Sequence, residues 1–392
     1  MNKKVIVIGA GIVGLATARS LAVRGYKVTV IDRSSKAIGA SIRNFGMIWP
    51  VGQPEGKLYE TAISSRSIWK EICADAGIWH DEVGSLHMAY AQDEWEVMTE
   101  LIDSISRDRG CKLLTPAETR HLSEAIVTDN LIGSLWSPDE MIVDPRHAIA
   151  AIPNWLHEKY SVEFIWDKAV TGISYPVVYS GKKEFKADQI FVCSGADFET
   201  LYPELYTTLP LTKCKLQMMR LAAQPDSWRI GPALCGSLSL IHYKSFAVAA
   251  SLPKLKVRYE NEYASYLKWG IHVMVSQNQA GELTVGDSHE YGLTPDPFDK
   301  QVINTMILDY LKKFACFKDD TVIETWNGIY PKLTNGEAAI ILQPEQGVTI
   351  INGLGGAGMT LSFGLCDNVV GQSYSMANTF PLPLYNTKVI CP

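Results

Sequence analysis

The first thirty-two residues alternate between buried-strand patterns and one glycine-rich turn. Residues 4–8 (KVIVI) form a continuous β-branched run, which is typical of a strand buried on both faces. Gly9, Gly11 and Gly14 follow at once, and the next twelve residues (LATARSLAVRGY) have helical periodicity. A second apolar run, KVTVID, closes on Asp32. The pattern predicts a βαβ unit at the start of the chain.

Apolar spacing also predicts elements in the rest of the chain. A helical run beginning at Asp144 (DPRHAIAAIPNWLHEKY) precedes a strand, VEFIWDKAV. Residues 211–290 alternate apolar and polar positions in KLQMMRLAA, SFAVAAS, IHVMVSQ and ELTVGDS. They predict an antiparallel sheet with turns at 277–281 and near Pro225. Residues 296–315 have apolar positions spaced by three and four, which predicts a helix.

The N-terminal glycine turn has the features of a dinucleotide-binding fingerprint. Gly9 allows the tight turn, and Gly11 lets backbone N–H groups approach a pyrophosphate. Gly14 lets the helix pack closely on the strand, and the helix start favours phosphate. Asp32 can accept hydrogen bonds from ribose hydroxyls and disfavours a 2′-phosphate, so FAD or NAD fits better than NADP. The alternative is a glycine-rich turn without a ligand.

A second glycine-rich segment lies near the other end of the chain. Residues 348–352 read as a strand, and a helix is predicted to begin near Met359. The glycines between them are Gly353, Gly355, Gly356 and Gly358. A helix start here would direct its positive end at the N1/C2=O side of a flavin. The small, polar loop 39–47 after the second strand also favours FAD, because an NAD domain would continue into a crossover helix.

Composition and charge exclude several classes of protein. The net charge of −6 argues against a nucleic-acid binder with a basic face. No apolar run is long enough for a spanning helix. The eight cysteines are scattered, as expected for reduced thiols in a cytoplasmic protein. The eight histidines are dispersed without metal-ligand spacing, so the sequence predicts no metal site.

Three further motifs carry a resemblance to a known family. They are GASIRNFGM at 39–47, ETWNGIYPKLTNGEAAII at 324–341 and NGLGGAGMTLSFG at 352–364. With the N-terminal fingerprint, the chain from about Lys4 to Gly371 resembles the D-amino-acid oxidase superfamily, which includes glycine oxidase, sarcosine oxidase and D-amino-acid dehydrogenases. RNFGMIWP, KCKLQMMR and GELTVGDSHEYG resemble a bacterial subgroup associated with aminophosphonate breakdown, whose suggested substrates are 2-aminoethylphosphonate and its N-alkylated relatives.

The resemblance implies an α/β fold, with a Rossmann-like FAD-binding domain (GR2-type) and an inserted antiparallel-sheet (α+β) substrate domain. The FAD-binding domain is expected to be discontinuous, comprising residues 1–56, 140–212 and 322–378. The substrate domain is expected to comprise residues 57–139, which mix helices with short strands, and residues 213–321. A C-terminal tail of loop character is expected at 379–392, with loop beginning after about Tyr374.

The resemblance also places residues around the cofactor. The implied FAD residues are Gly9, Gly11, Ile12, Val13, Gly14, Asp32, Arg33, Ala40, Ser41, Arg43, Asn44, Phe45, Gly46, Met47, Val170, Leu354, Gly355, Gly356, Ala357, Gly358, Met359 and Thr360. Residues 191–197 (FVCSGAD) read as a buried strand and turn, either contacting the cofactor or serving only as a turn. Sarcosine oxidases attach flavin through a cysteine where this chain has Gly328, so non-covalent FAD is expected.

The chain departs from the family at the residues that anchor a substrate carboxylate. Glycine oxidases have one arginine where this chain has Tyr330 and a second where it has Gly356. Sarcosine oxidases have a lysine where this chain has Thr360. A bidentate arginine matches a planar carboxylate, so its loss disfavours an ordinary α-amino acid.

Other cations could hold a tetrahedral anion, because lysine is a point charge without a planar preference. The substrate-binding candidates are Lys332, Tyr330, Arg43, Lys244 and Ser288, and the catalytic candidates are Tyr330, Lys332 and His272. His242 and His289 are further pocket candidates. For each cation the alternative is a solvated surface charge, and for each histidine it is a structural role.

The expected activity is FAD-dependent oxidation of a small amine, with an aminophosphonate as substrate. Hydride transfer to flavin N5 would give an imine, and its hydrolysis would release phosphonoacetaldehyde. One alternative is an oxidase or dehydrogenase for glycine, sarcosine or a D-amino acid. Another is a non-catalytic flavoprotein subunit. The electron acceptor, O₂ or another molecule, stays open.

Overall fold

The computed structural model describes residues 3–377. They form an α/β fold with two large β-sheets. The strands are β1 (Lys4–Ile8), β2 (Lys27–Ile31), β3 (Met47–Ile48), β4 (His80–Asp81), β5 (Ser85–Ala89), β6 (Lys112–Leu114), β7 (Gly133–Ser137), β8 (Met141–Val143), β9 (Glu163–Ile165), β10 (Gly172–Ser174), β11 (Val177–Ser180), β12 (Lys183–Lys186), β13 (Gln189–Val192), β14 (Leu211–Leu221), β15 (Ala233–Cys235), β16 (Met274–Gln277), β17 (Leu283–Gly286), β18 (Glu290–Gly292), β19 (Val322–Leu333), β20 (Ile340–Leu342) and β21 (Val348–Asn352). The α-helices are α1 (Ile12–Val23), α2 (Lys57–Ala76), α3 (Gln92–Ser104), α4 (Pro116–Leu122), α5 (Pro145–Tyr160), α6 (Pro203–Thr207), α7 (Leu252–Glu262), α8 (Ala264–Lys268), α9 (Gln301–Leu311) and α10 (Gly358–Ala377).

The first sheet has six strands in the order β20-β21-β13-β1-β2-β9. Its strands from β21 to β9 are parallel, and β20 pairs antiparallel at one edge. Val5 and Val7 of β1 pack in the hydrophobic cluster that contains helix residues, whereas Ile6 and Ile8 pack in a cluster on the other face. Burial on both faces accounts for the unbroken apolar run. The predicted βαβ unit is confirmed, with β1 and β2 parallel and α1 between them.

Helices α1, α2, α5 and α10 pack together in the core that covers this sheet. The indole of Trp69 on α2 meets the ring of Phe363 on α10 edge-on, with centroids 4.9 Å apart. Its Nε1 donates to the carbonyl of Met359 at 2.8 Å. The predicted start of the substrate domain at residue 57 therefore differs from the packing, because α2 belongs to the core of the cofactor sheet.

The second sheet has nine strands, eight of them in the order β18-β14-β17-β16-β15-β5-β7-β6, with β19 paired to β14. Strand β14 pairs with β19 from Leu211, opposite Leu333, to Leu221, opposite Val322. The sequence predicts residues 322–333 in the cofactor domain. Their hydrogen bonds place them in the second sheet instead, where β19 pairs with β14 along its whole length. Two three-stranded sheets, β3-β8-β4 and β10-β11-β12, complete the described strands.

The predicted antiparallel sheet over 211–290 is partly confirmed. Strands β14, β16 and β17 form, with the turns near Pro225 and at 277–281 in the expected places. SFAVAAS is wrong as a strand, because it lies in a 3-10 turn at Lys244–Val248 and in the approach to α7. Phe246 is buried in the second-sheet core, so its apolar character serves packing rather than strand alternation.

The remaining helix predictions are largely confirmed. Asp144 caps α5 by accepting from the backbone N–H groups of Arg146 and His147. The helix predicted over 296–315 is shorter, as α9 runs from Gln301 to Leu311. The loop expected after Tyr374 is wrong as far as Ala377, because α10 continues to that residue; the expected tail at 379–392 lies outside the described residues. No helix within 3–377 has the length and apolar character needed to cross a membrane.

Candidate active site

A cavity of about 930 Å³ is lined by residues of both large sheets. This volume is near the upper end of ordinary ligand pockets, as a large ligand requires. The predicted cofactor residues on its wall are Gly9, Gly11, Ile12, Val13, Asp32, Arg33, Ala40, Ser41, Arg43, Asn44, Phe45, Met47, Val170, Leu354, Gly355, Gly356, Ala357, Gly358, Met359 and Thr360. The two glycine-rich segments, at opposite ends of the described chain, thus face the same space.

The turn between β1 and α1 is too tight for side chains. Gly9 has φ +101°, and a Cβ on it would lie 2.4 Å from the carbonyl oxygen of Cys193. A Cβ on Gly14 would lie 1.8 Å from the carbonyl oxygen of Gly9. Gly14 therefore allows α1 to pack against the turn, as predicted, but it does not line the cavity. Gly14 was predicted to contact the cofactor, but in the structure it serves the close packing of α1 on the turn.

Asp32 follows β2 and holds the glycine turn. Its Oδ2 accepts from Ala10 N at 2.7 Å, and its Oδ1 accepts from Ser34 N at 2.9 Å. Ser41, in the predicted loop, accepts from Ile12 N at 2.9 Å and so ties this loop to the start of α1. The carboxylate and the loop are therefore fixed beside the space that a dinucleotide would occupy.

The adenosine end of the cavity is lined by Val170 and by residues 193–197, which follow β13. Arg33 is ion-paired with Asp197. For the segment 191–197 the sequence allows either a cofactor contact or a turn. The structure puts Phe191 in the core and residues 193–197 on the cavity wall, where their contact with the cofactor stays a prediction.

The loop after β2 is only partly exposed to the cavity. Asn44 donates to the carbonyls of Ala40 and Ser41, and its Oδ1 accepts from Gly46 N at 2.8 Å. Gly46 does not line the cavity, which corrects its predicted contact. It has φ +72°, and a Cβ there would lie 2.0 Å from the carbonyl oxygen of Val143. Gly46 is therefore needed for a close backbone approach.

The second glycine segment lies next to the first. A 3-10 turn at Gly355–Ala357 leads into α10, as the sequence predicted. A Cβ on Gly358 would lie 3.6 Å from the side chain of Ile12 at the start of α1. The hydroxyl of Thr360 accepts from Trp49 N at 2.9 Å and fixes α10 to the segment after β3. The starts of α1 and α10 are thus neighbours on one wall.

The substrate end of the cavity contains the two positions where the family has arginines. Tyr330 on β19 is 6% exposed, and its hydroxyl lies 3.6 Å from the place of a Cβ on Gly356. The two positions are therefore adjacent in space. In this chain the phenol of Tyr330 lies where the resemblance would place arginine side chains. Burial raises the pKa of Tyr330 well above its usual range, so the hydroxyl is neutral.

Three predicted cations reach the same cavity. The ammonium of Lys332 donates to the hydroxyl of Tyr291 at 3.2 Å, and that of Lys244 donates to the carbonyl of Gly336. Arg43 donates from one guanidinium nitrogen to the carbonyl of Asn327 at 3.1 Å. Burial lowers the pKa of Lys244, and the nearby ammonium of Lys332 adds to this effect. The two lysines are therefore close enough to repel each other.

Three histidines meet on the cavity wall although they are far apart in the sequence. The ring centroids of His242 and His272 are 3.8 Å apart, and those of His272 and His289 are 5.1 Å apart. Asp287 lies beside them, with one carboxylate oxygen 3.4 Å from Nε2 of His272. Burial lowers the pKa of His289 to about 4 and raises that of Asp287 well above its usual range.

Asp287 and Tyr243 are cavity residues that the sequence reasoning missed. The signal for Asp287 is its spacing of two from His289, which places both side chains on one side of an extended segment. Ser288, between them, was a predicted substrate residue and does not line the cavity. Its hydroxyl accepts from Gln217 N at 3.1 Å instead, so a contact between Ser288 and the substrate stays a prediction that this geometry does not support.

Comparisons with known proteins agree with this geometry. The DAO family profile, described as FAD dependent oxidoreductase, matches residues 4–370. L-proline dehydrogenase from P. horikoshii has the same fold, with a TM-score of 0.74, 20% identity and coverage of 95% of this chain and 94% of that one. Glycine oxidase from Bacillus cereus has a TM-score of 0.73 at 16% identity, with coverage of 98% and 100%.

A D-amino acid dehydrogenase from Helicobacter pylori is 26% identical over 255 residues, which are 50% of this chain and 61% of that protein. The match thus spans about three fifths of that relative's length.

The residues of the cavity fit FAD. Two glycine cradles that side chains would fill, a carboxylate after β2 and two helix starts on one wall are the features that hold a dinucleotide. The family match covers all of them, and the cofactor is FAD. The chain belongs to the DAO family of FAD-dependent oxidoreductases.

Proposed function

We propose that this protein oxidises a small primary or secondary amine that carries a phosphonate group, such as 2-aminoethylphosphonate or its N-methyl derivative. The observation that carries the proposal is the charge at the substrate end. Two lysines and one arginine line it, while a tyrosine and a glycine stand at the positions of the family's carboxylate anchors.

The two lysines form a site for a multiply charged anion. The carboxylate of Glu337 acts on the ammonium of Lys244, while the ammonium of Lys332 donates to the neutral hydroxyl of Tyr291. Bringing two ammonium groups together costs free energy unless an anion compensates their charge. A phosphonate resembles a phosphate in presenting three acceptor oxygens and about two negative charges at neutral pH. It satisfies two lysines better than a single carboxylate does.

A neutral phenol and a guanidinium group complete the proposed anion site. The hydroxyl of Tyr330 points to the place of a Cβ on Gly356, and its raised pKa keeps its proton available for donation. Arg43 has guanidinium N–H groups beyond the one that donates to Asn327. These groups surround an acid group from several directions, as a tetrahedral anion requires and a planar carboxylate does not.

Bound FAD would supply the hydride acceptor for the C–H bond next to the amine nitrogen. The chain's own residues would bind and orient the substrate: Lys332 and Lys244 hold the acid group, and Tyr330 fixes its distance from the start of α10. The apolar residues Leu216 and Met218 line the cavity and limit access of water. Orientation and a neutral amine are what this reaction needs most from the protein.

The second candidate function is oxidation of an amino acid. It is supported by the similarity to the D-amino acid dehydrogenase from Helicobacter pylori and by the fold shared with glycine oxidase. In that case Lys332 or Arg43 would hold the carboxylate in place of the family's arginines. We also propose a cytoplasmic location and an electron acceptor that is either O₂ or another molecule.

Anaerobic mixing of the FAD-loaded enzyme with single amines tests the proposal. We expect N-methyl-2-aminoethylphosphonate and 2-aminoethylphosphonate to bleach the flavin absorbance and to yield phosphonoacetaldehyde. N-methylpropylamine, which has no acid group, should bleach it far more slowly. Bleaching by glycine, sarcosine or D-alanine without bleaching by either phosphonate would refute the proposal and favour amino-acid oxidation. Acid precipitation should release the flavin into solution, because Gly328 cannot form a covalent link.

A further inference from the structure

Three histidines bring ring nitrogens close together on the cavity wall. His242 follows a 3-10 turn at Ser237–Ile241, His272 lies before β16, and His289 lies between β17 and β18. One ring nitrogen from each lies within 4.8 Å of those of the other two. The carboxylate of Asp287 adds oxygens 3.4 Å from Nε2 of His272 and 3.8 Å from Nε2 of His289.

The hydrogen bond of the His289 ring determines which of its nitrogens carries the lone pair. Its Nδ1 lies 2.9 Å from the carbonyl oxygen of Gly270, which can only accept, so Nδ1 carries the proton. In the neutral ring, Nε2 is then an acceptor. It lies 3.8 Å from an oxygen of Asp287, which is beyond hydrogen-bond length.

His272 and Asp287 show the same deficit. Three buried atoms lack a hydrogen-bond partner within the described part of the chain: the two ring nitrogens of His272 and Oδ1 of Asp287. Buried polar groups without partners are rare in folded proteins, and a bound ion can satisfy them.

We propose that His242, His272 and His289, with Asp287 beside them, bind a divalent transition-metal ion of the Zn²⁺ class. Imidazole nitrogens and one carboxylate form a donor set that such ions prefer. With bonds of about 2.0–2.1 Å, neighbouring tetrahedral ligand atoms are about 3.3–3.4 Å apart. The 3.4 Å between His272 Nε2 and Asp287 Oδ1 matches that separation, whereas the three histidine nitrogens, which lie within 4.8 Å of one another, would move closer together around the ion. The carbonyl of Gly270 is the outer partner that fixes His289.

A proton on Asp287 or a bound substrate anion would satisfy fewer of the unpaired atoms than a metal ion. The proton could serve His272 at 3.4 Å but not His289 at 3.8 Å, which is beyond hydrogen-bond length. A substrate anion needs N–H donors, and Nε2 of His289 is an acceptor in the neutral ring. The ammonium of Lys332 lies near the cluster and opposes a second cation, and the negative charge of an ionised Asp287 would offset it. In this arrangement His272 is a ligand rather than a proton acceptor for the substrate.

Metal binding can be measured without substrate, so the test is independent of which amine the enzyme oxidises. The FAD-loaded enzyme is stripped with a chelator, dialysed and titrated with Zn²⁺ against a chromophoric chelator. We expect one ion per chain. Co²⁺ should give tetrahedral absorption bands at longer wavelength than the flavin bands.

Variants assign the ion to the cluster. Asp287→Asn should weaken Zn²⁺ binding about 10- to 100-fold, and His272→Gln and His289→Gln at least as much. His121→Gln, at an exposed position on α4, is the matched control and should bind Zn²⁺ like the wild type. FAD content and melting temperature show whether each variant is folded.

Absence of stoichiometric Zn²⁺ binding by the wild type would overturn the metal site. Equal Zn²⁺ affinity in the wild type and in His272→Gln would overturn it as well, because the ion would then lie elsewhere. If the histidine variants do not fold, the Zn²⁺-induced rise in melting temperature decides. The rise must be present in the wild type and reduced in Asp287→Asn; equal rises in both would refute the proposal.

Discussion

Replacing Lys332 by methionine tests the anion site most directly. Lys332 lies on β19, is half-buried, and lines the cavity two residues beyond Tyr330. Methionine keeps most of the length of the side chain and its apolar stem, and removes the charge. The change therefore separates the contribution of the ammonium from that of packing.

The expected loss follows from the hydrogen bond that the ammonium would make. A hydrogen bond to a charged group contributes about 1.5–3 kcal/mol. At about 1.4 kcal/mol per factor of ten, this corresponds to a fall of about 10- to 150-fold in kcat/KM for an aminophosphonate. Because Lys244 shares the anion, we expect a value toward the lower end. N-methylpropylamine has no acid group, so its kcat/KM should change little.

The assay is the anaerobic reduction of enzyme-bound flavin, followed with N-methyl-2-aminoethylphosphonate and with N-methylpropylamine. Lys312→Met, at an exposed position after α9, controls for a general loss of charge. Tyr291→Phe removes the hydroxyl that holds the ammonium and should have a smaller effect than Lys332→Met. An equal loss for both amines, or no loss for the phosphonate, would refute the assignment of Lys332 to the acid group.

Two further predictions concern the cofactor turn and acid stability. Gly14→Ala places a Cβ 1.8 Å from the carbonyl oxygen of Gly9, so we expect a loss of about 1–3 kcal/mol in the free energy of unfolding and weaker FAD retention. Gly292→Ala is the control, because its Cβ meets no atom within 4 Å. Equal melting temperatures of the two variants would contradict the packing argument. His87 is fully buried, and burial lowers its pKa from 6.5 to about 3. The unfolded chain therefore binds its proton more readily, and stability falls by about 1.4 kcal/mol per pH unit below pH 6.5. His87→Leu should flatten this acid limb in urea unfolding at pH 7 and pH 5, and an unchanged slope would be the contrary result.

The parts of the fold that were predictable from sequence are those set by local patterns. The strand, glycine turn and helix over residues 4–23 follow from near neighbours in the chain. The same holds for β21 and α10, where glycines separate a strand from a helix. Asp144 caps α5 through hydrogen bonds to residues two and three positions away. In each case the decisive interactions lie within one turn or one strand.

The wrong or missing sequence predictions have a common physical cause. Each depends on contacts between residues that are far apart in the sequence. The periodicity of α2 shows an apolar stripe but not that Trp69 will meet Phe363 on α10. Residues 322–333 were predicted in the cofactor domain because nothing near them in the sequence shows their pairing with β14, which begins more than a hundred residues earlier. The histidine cluster was invisible for the same reason, since loops of three separate connections bring His242, His272 and His289 together.

The position of the charges along β19 bears on the length of the substrate. Tyr330 and Lys332 are two residues apart on one face of the strand, and both line the cavity. Two residues of antiparallel strand span about 7 Å, so the anchoring charge has moved by that distance along the strand from the position of the family's arginine. In an α-amino acid the acid group is attached to the carbon that is oxidised. In 2-aminoethylphosphonate one more carbon separates the two. One carbon–carbon bond adds only about 1.5 Å, so the 7 Å shift along β19 fits the proposed aminophosphonate only if the Lys332 side chain reaches back along the strand toward Tyr330.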